Sequence, residues 1–271
     1  MPELPEVETT RRGIAEAIVG QTIVATRVRE RRLRWPLPAG FERQLTGRRV
    51  LAVSRRAKYL LLELDQGTLL VHLGMSGSLR VLSSTVAPRS HDHVDLVLSS
   101  GQTVRYNDPR RFGSFHYVAG PPAAHPLLAK LGPEPLEPGF DAAYLRARAR
   151  RRRVAVKQFI MDAQVVVGVG NIYASEALFR AGVRPGRAAG RLSLAELTRV
   201  VAAIRAVLAE AITQGGTTLR DYVNTDGLPG YFRQKLYVYE RAGEACRRCA
   251  TPIRVRVQGG RATYWCATCQ A

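Results

Sequence analysis

The chain has 271 residues, with 41 lysines and arginines against 22 aspartates and glutamates, giving a formal charge of +19 and a pI near 10.8. A positive field of that size draws in polyanions and repels basic surfaces, so nucleic acid or an anionic membrane leads the candidate partners. At 46% hydrophobic and 23% charged residues, the composition is that of a globular protein with a real core and excludes a disordered basic tail.

The N-terminus, Met1-Pro2-Glu3-Leu4-Pro5-Glu6, is acidic and has no basic-then-apolar leader pattern, and no stretch approaches the ~18 apolar residues of a membrane span. A cytoplasmic, nucleoid-associated protein is expected. Leu4, Val7, Ile14 and Ile18 recur near a 3.6 period, which predicts a helix over 3–20 with Gly20 as its stop. Its other face carries Glu3, Glu6, Arg11 and Arg12, which on pattern alone reads as solvated surface. From 21 to 118 short Val/Leu/Ile runs are broken by Gly, Pro and Ser: 22–25, 50–53, 59–62, 68–71, 94–98 and 112–118. Six or more strands so spaced predict an antiparallel sandwich or barrel.

Residues 120–135, rich in Gly and Pro, read as a linker, and 126–215 are helical in pattern. The clearest helix begins at Ser193 with Glu196 as a capping box and runs to Gly215-Gly216. Ahead of it, Arg146 to Lys157 holds seven basic residues and no acidic ones. From about 217 the chain reads as loop, followed by a cysteine-bearing hairpin.

Three groups carry chemistry. Cys246-x2-Cys249 and Cys266-x2-Cys269 stand sixteen residues apart, a spacing that lets four thiolates converge on one structural Zn²⁺; paired disulfides are the alternative. Arg254, Arg256 and Arg261 lie between these knuckles, on a basic hairpin suited to gripping DNA, although a zinc ribbon alone can equally bind RNA or protein. The turn Gly168-Val169-Gly170-Asn171 leads into an apolar helix whose backbone N–H groups suit a phosphate, with Asn171 able to cap and donate. It lacks the Lys-Ser/Thr of a nucleotide-binding loop, so a DNA phosphate is the better ligand. Finally, removal of Met1 would leave Pro2 as a secondary amine beside Glu3 and Glu6. An α-amino group titrates near 8 rather than 10.4, so more of it is neutral and nucleophilic. Its iminium has no N–H to lose and serves as an electron sink.

Together these pieces resemble the formamidopyrimidine-DNA glycosylase family from end to end. The resemblance rests on Pro2-Glu3-Leu4-Pro5-Glu6-Val7-Glu8-Thr9, Arg56-Ala57-Lys58-Tyr59-Leu60, His72-Leu73-Gly74-Met75-Ser76-Gly77, His91-Asp92-His93, Asp108-Pro109-Arg110-Arg111-Phe112-Gly113, Leu131-Gly132-Pro133-Glu134-Pro135-Leu136, Gly170-Asn171-Ile172-Tyr173-Ala174, Gly215-Gly216-Thr217-Thr218-Leu219, Pro229-Gly230-Tyr231-Phe232 and the four cysteines. It implies an α+β protein with three parts. These are an N-terminal helix and catalytic antiparallel β-sandwich (1–120), a helix-two-turn-helix domain with a lesion loop (121–230), and a zinc-finger hairpin (231–271).

The implied activity is base-excision repair of damaged double-stranded DNA, by a monomer that excises 8-oxoguanine and formamidopyrimidines and then cuts the strand by β,δ-elimination. By resemblance, Pro2 attacks C1′, Glu3 donates a proton, Lys58 serves β-elimination, Arg261 serves δ-elimination and Glu6 orients the opened sugar. Met75, Arg110 and Phe112 fill the vacated stack. His72, His91, Arg110, Arg152 and Asn171 contact phosphates, and the loop 217–222 closes over the flipped base. Arg220 stands where lysine is frequent, keeping the charge. Lys58 is one of only four lysines, with Lys130, Lys157 and Lys235, which fits proton-transfer chemistry that a guanidinium does poorly. Two alternatives stay open. One is an endonuclease VIII-like enzyme for oxidised pyrimidines, against which Leu4 and Arg110-x-Phe112 argue; the other is a non-catalytic zinc-ribbon DNA-binding protein.

Overall fold

The structure is a computed structural model and describes residues 2–216 and 235–271. It divides into two compact units, one of residues 2–129 with 214–216 and one of 130–213 with 235–271.

In the first unit, α1 (Leu4–Ile18) opens with a reciprocal capping box in which the Glu3 N–H donates to Glu6 Oε2 at 2.8 Å. Glu3 and Glu6 are both 2% exposed, so the reading of this face as solvated surface fails for them. Two four-stranded antiparallel sheets follow. One has the order β1 (Ile23–Val28), β6 (Asp92–Leu98), β7 (Gln102–Asn107), β5 (Ser78–Ser83); the other runs β2 (Val50–Arg56), β3 (Tyr59–Leu64), β4 (Thr68–His72), β8 (Ser114–Val118). Their inner faces share one core with α1 and the short helix α2 (Phe41–Leu45). It includes Val7, Ile14, Phe41, Leu60, Leu62, Val71, Leu96, Val104, Tyr106 and Phe115. This is the expected sandwich. Phe112, expected at the start of a strand, instead lies on the loop before β8 and is 43% exposed.

The second unit holds α3 (Ala142–Ala149), α4 (Val156–Met161), α5 (Asn171–Ala181), α6 (Leu194–Thr213) and the hairpin β9 (Ile253–Gln258) with β10 (Arg261–Cys266). The α6 start is as expected: Ser193 N–H donates to Glu196 Oε2 at 2.8 Å, and Glu196 N–H to Ser193 Oγ at 3.2 Å. The hairpin turns on Gly259-Gly260, both at positive φ (+58° and +71°), as a two-residue type I′ loop demands. Among the described residues no helix is long and apolar enough to cross a membrane.

Candidate active site and nucleic-acid interface

The first unit gathers Pro2, Glu3, Glu6, Lys58, His72, Met75, His91, Arg110 and Phe112; the second holds Arg152, Asn171, Arg261 and the four cysteines. Pro2 is buried with Glu3 and Glu6 at the start of α1, and Glu6 Oε1 lies against Gly216, where a Cβ would stand 3.1 Å away. The loop 217–222 with Arg220, the stretch 229–232 and Met1 lie outside the described residues.

Lys58 sits in the tight β2–β3 turn, after Ala57 at φ +56°. That turn is tied to α1 because Arg55 donates to Glu8 at 3.3 Å and to the Ala57 carbonyl at 2.8 Å, while Arg11 reaches the Val53 carbonyl at 3.2 Å. His72 ends β4 beside Tyr59, ring centroids 4.9 Å apart. Its Nδ1 accepts the Gly74 N–H at 3.0 Å, which puts the proton of the neutral ring on Nε2. Burial above all, then the charges of Lys58 and Arg34, pushes its pKa down to about 4. At neutral pH His72 is therefore an uncharged donor within the field of Lys58.

Met75, Arg110 and Phe112 are exposed on two loops, with the Arg110 guanidinium carbon 4.9 Å from the Phe112 ring centroid. Beneath them is Asp108, fully buried, for which sequence reading assigned no role. Oδ1 accepts from Ser76 Oγ at 2.7 Å and from Arg110 N at 3.3 Å; Oδ2 accepts from Tyr106 Oη at 2.8 Å and Gly113 N at 2.9 Å. His91, at φ +67°, is exposed, and its carbonyl accepts the Asp108 N–H at 3.0 Å.

In the second unit Asn171 does not cap α5. Gly170 occupies the N-cap, and the Asn171 amide is engaged inside the protein. Its Oδ1 accepts from Lys157 Nζ at 2.6 Å and its Nδ2 donates to the Ala262 carbonyl at 3.1 Å. Lys157, only 1% exposed, also donates to the Ala262 carbonyl at 3.0 Å and Thr263 Oγ1 at 2.8 Å. The last member of the basic run is thus a buried clamp holding α4, the α5 start and β10 together, while Arg152 and, at the hairpin turn, Arg261 are exposed. Only its scarcity among arginines signalled it in the sequence.

The four cysteine sulfurs lie within 4.8 Å of one another, with Cys246–Cys269 at 3.9 Å and Cys249–Cys266 at 3.4 Å. Tetrahedral Zn²⁺ with Zn–S of ~2.3 Å needs sulfurs ~3.8 Å apart, whereas a disulfide needs ~2.05 Å. The arrangement fits one zinc ion and not paired disulfides. Backbone N–H groups of Arg248 and Cys269 point at Cys246 and Cys266 sulfurs, both at 3.4 Å, which suits thiolate ligands. Four protein ligands leave no open position, so the ion supplies a cross-link. Nearby, the buried Glu176 carboxylate accepts N–H bonds from Tyr237, Val238 and Tyr239, each at 2.9 Å. Burial raises its pKa, and these three donors offset only part of that rise.

Three family models match successive stretches of the chain. Residues 1–115 match the family model of the formamidopyrimidine-DNA glycosylase N-terminal domain, 131–223 that of the formamidopyrimidine-DNA glycosylase H2TH domain, and 243–271 that of a zinc finger found in FPG and IleRS. The chain belongs to the formamidopyrimidine-DNA glycosylase family. It is 61% identical to the formamidopyrimidine-DNA glycosylase of Thioalkalivibrio sulfidiphilus, with 100% of both chains covered. Among solved structures, the MutM (Fpg) protein of Thermus thermophilus superposes with a TM-score of 0.89 at 42% identity, covering 99% of this chain and 98% of that one. The Lactococcus lactis Fpg bound to DNA containing an abasic site gives 0.91 at 32% identity, with 99% of each chain covered.

Proposed function

We propose that this chain is a bifunctional DNA glycosylase and abasic-site lyase of base-excision repair, acting as a monomer in the cytoplasm, nucleoid-associated, on oxidised purines in duplex DNA. The observation that carries the reading is the burial of Pro2 together with Glu3 and Glu6 at the start of α1, in the same unit as Lys58 and the exposed Met75, Arg110 and Phe112.

Once Met1 is removed, the Pro2 nitrogen attacks C1′ of the damaged nucleotide as the C1′–N bond to the base breaks, and Glu3 supplies the proton needed in base loss and ring opening. The resulting iminium acidifies the C2′ protons. Transfer of one to Lys58 expels the 3′ phosphate, and Arg261 assists the second elimination at the 5′ side. Glu6, fixed by the Glu3 N–H, orients the opened sugar. Base removal requires the lesion to leave the stack, at a cost of a few kcal/mol. Met75 and Phe112 are apolar wedges for the hole, with Arg110 to pair with the orphan base. His72, as a neutral Nε2–H donor, together with His91, Arg152 and Asn171, would position the backbone without reading sequence. The zinc hairpin holds Arg261 in place.

Matched duplexes carrying 8-oxoguanine opposite cytosine or thymine glycol opposite adenine test the substrate. Faster cleavage of the 8-oxoguanine strand is expected; preference for thymine glycol would overturn the purine assignment in favour of oxidised pyrimidines.

A further inference from the structure

We infer that Asp108 is a positioning residue for base opening: its carboxylate joins the two wedge loops into one rigid body, so that Met75, Arg110 and Phe112 enter the DNA stack together. The inference rests on the assignment of those three side chains to the vacated stack.

Each wedge loop is short and lacks a core of its own. The 73–77 loop presents Met75 and is held at Ser76; the 109–113 loop presents Phe112 and Arg110 and is held at Gly113 and Arg110. All of these bonds end on the same carboxylate. A carboxylate buried without donors is strongly disfavoured, so its four partners are what keep it in place. Burial pushes the Tyr106 phenol far above its ordinary pKa, so Tyr106 stays a donor to Oδ2 at every working pH. His93 Nε2 lies 2.8 Å from the Asp108 carbonyl and fixes the base of the hub.

The backbones of the two loops also touch. A Cβ on Gly74 would stand 2.5 Å from Gly113 N, and one on Gly113 would stand 1.7 Å from Tyr106 Oη. Glycine is required at both places for the loops to share one acceptor. The tips above remain exposed, Met75 at 36% and Phe112 at 43%. A rigid base under exposed apolar tips is what a wedge needs, because a loop that yields on contact with stacked bases spends its binding energy on ordering itself.

Asp108→Asn keeps the shape but puts an NH₂ where two acceptor positions were. The expected result is a loss of about tenfold in single-turnover excision of 8-oxoguanine from duplex DNA. Strand cleavage at a preformed abasic site, where no base must be everted, should stay within about threefold of wild type. A 2-aminopurine beside the lesion should report slower unstacking by the same factor as excision. Acting through the wedge further requires that Asp108→Asn add little in a Phe112→Ala background.

Equal losses on lesion and abasic DNA, or full additivity with Phe112→Ala, would overturn the inference and leave Asp108 a merely structural residue. If Phe112→Ala alone leaves the 2-aminopurine signal unchanged, the wedge assignment fails, and the inference with it. Should Asp108→Asn not fold, Ser76→Ala, which frees only the Met75 loop, is expected to give a smaller loss with the same lesion-specific pattern, and a loss common to both substrates would contradict it.

Discussion

The sandwich and the cysteine hairpin solve the same problem, holding reactive or intruding side chains still, with different means. The sandwich has two sheets closing over a shared apolar core, so a buried carboxylate such as Asp108 can organise its loops without outside help. Among the described residues, the buried cluster around the cysteines holds Phe179, Val238, Cys246, Ile253 and Cys266, and two of those five are metal ligands. A segment this small cannot offset its ordering entropy by apolar burial, so the metal stands in for the missing core. Rigidity comes from packing in the sandwich and from coordination at the cysteines.

Zinc removal should separate the two most sharply. About one equivalent per chain is expected, and chelation or Cys249→Ala should unfold the hairpin and lower DNA affinity by about 100-fold or more, leaving the sandwich intact. The two tryptophans make this readable, since Trp35 belongs to the first unit and Trp265 to the second. Emission from Trp265 should shift while that of Trp35, followed in a Trp265→Phe variant, does not. Simultaneous loss of both signals would contradict independent stabilisation.

A smaller effect should follow from Lys157→Met, which leaves Asn171 Oδ1, Thr263 Oγ1 and the Ala262 carbonyl without their charged donor. A loss of about 1–3 kcal/mol in chemical denaturation of the second unit is expected, with zinc still bound. An unchanged denaturation midpoint would remove Lys157 from the account of how the hairpin docks.

The smallest effect at neutral pH concerns His72. Its folded pKa of about 4 lies below the 6.5 of a free imidazole, so on acidification the unfolded chain takes up the proton first. Stability should therefore decline as pH falls from about 6.5 to about 4, and His72→Gln should flatten that part of the curve in urea titrations across the range. No difference between the two proteins would mean that His72 is freely protonated in the fold.

Much of this was legible in the sequence because periodicity and spacing report local physics. The α1 stripe, the Ser193–Glu196 box and the cysteine knuckles appear where they were read. Strands β5 and β7 escaped because their buried positions are not all apolar. Arg105 of β7 is 2% exposed and donates to both oxygens of Asp95 at 2.9 Å, a pairing made across the sheet that no local pattern announces. Asp108 and Lys157 were missed because what each joins is set by the fold: Asp108 ties its own loop to Ser76, 32 residues away, and Lys157 reaches Ala262 and Thr263, 105 and 106 residues away. Asn171 was misread as a cap because the Gly170-Asn171 step looks like a helix start, and only the structure shows its amide committed to Lys157 and Ala262.

The central claim is that the Pro2 amine is the nucleophile. Borohydride reduction of the processed protein with 8-oxoguanine duplex should trap one covalent protein–DNA adduct, whose peptide mass places the link at Pro2. A chain carrying one extra residue ahead of Pro2, which turns the amine into an amide, should bind the same DNA and trap none. An adduct on Lys58 or another lysine, or undiminished trapping by the extended chain, would contradict the account.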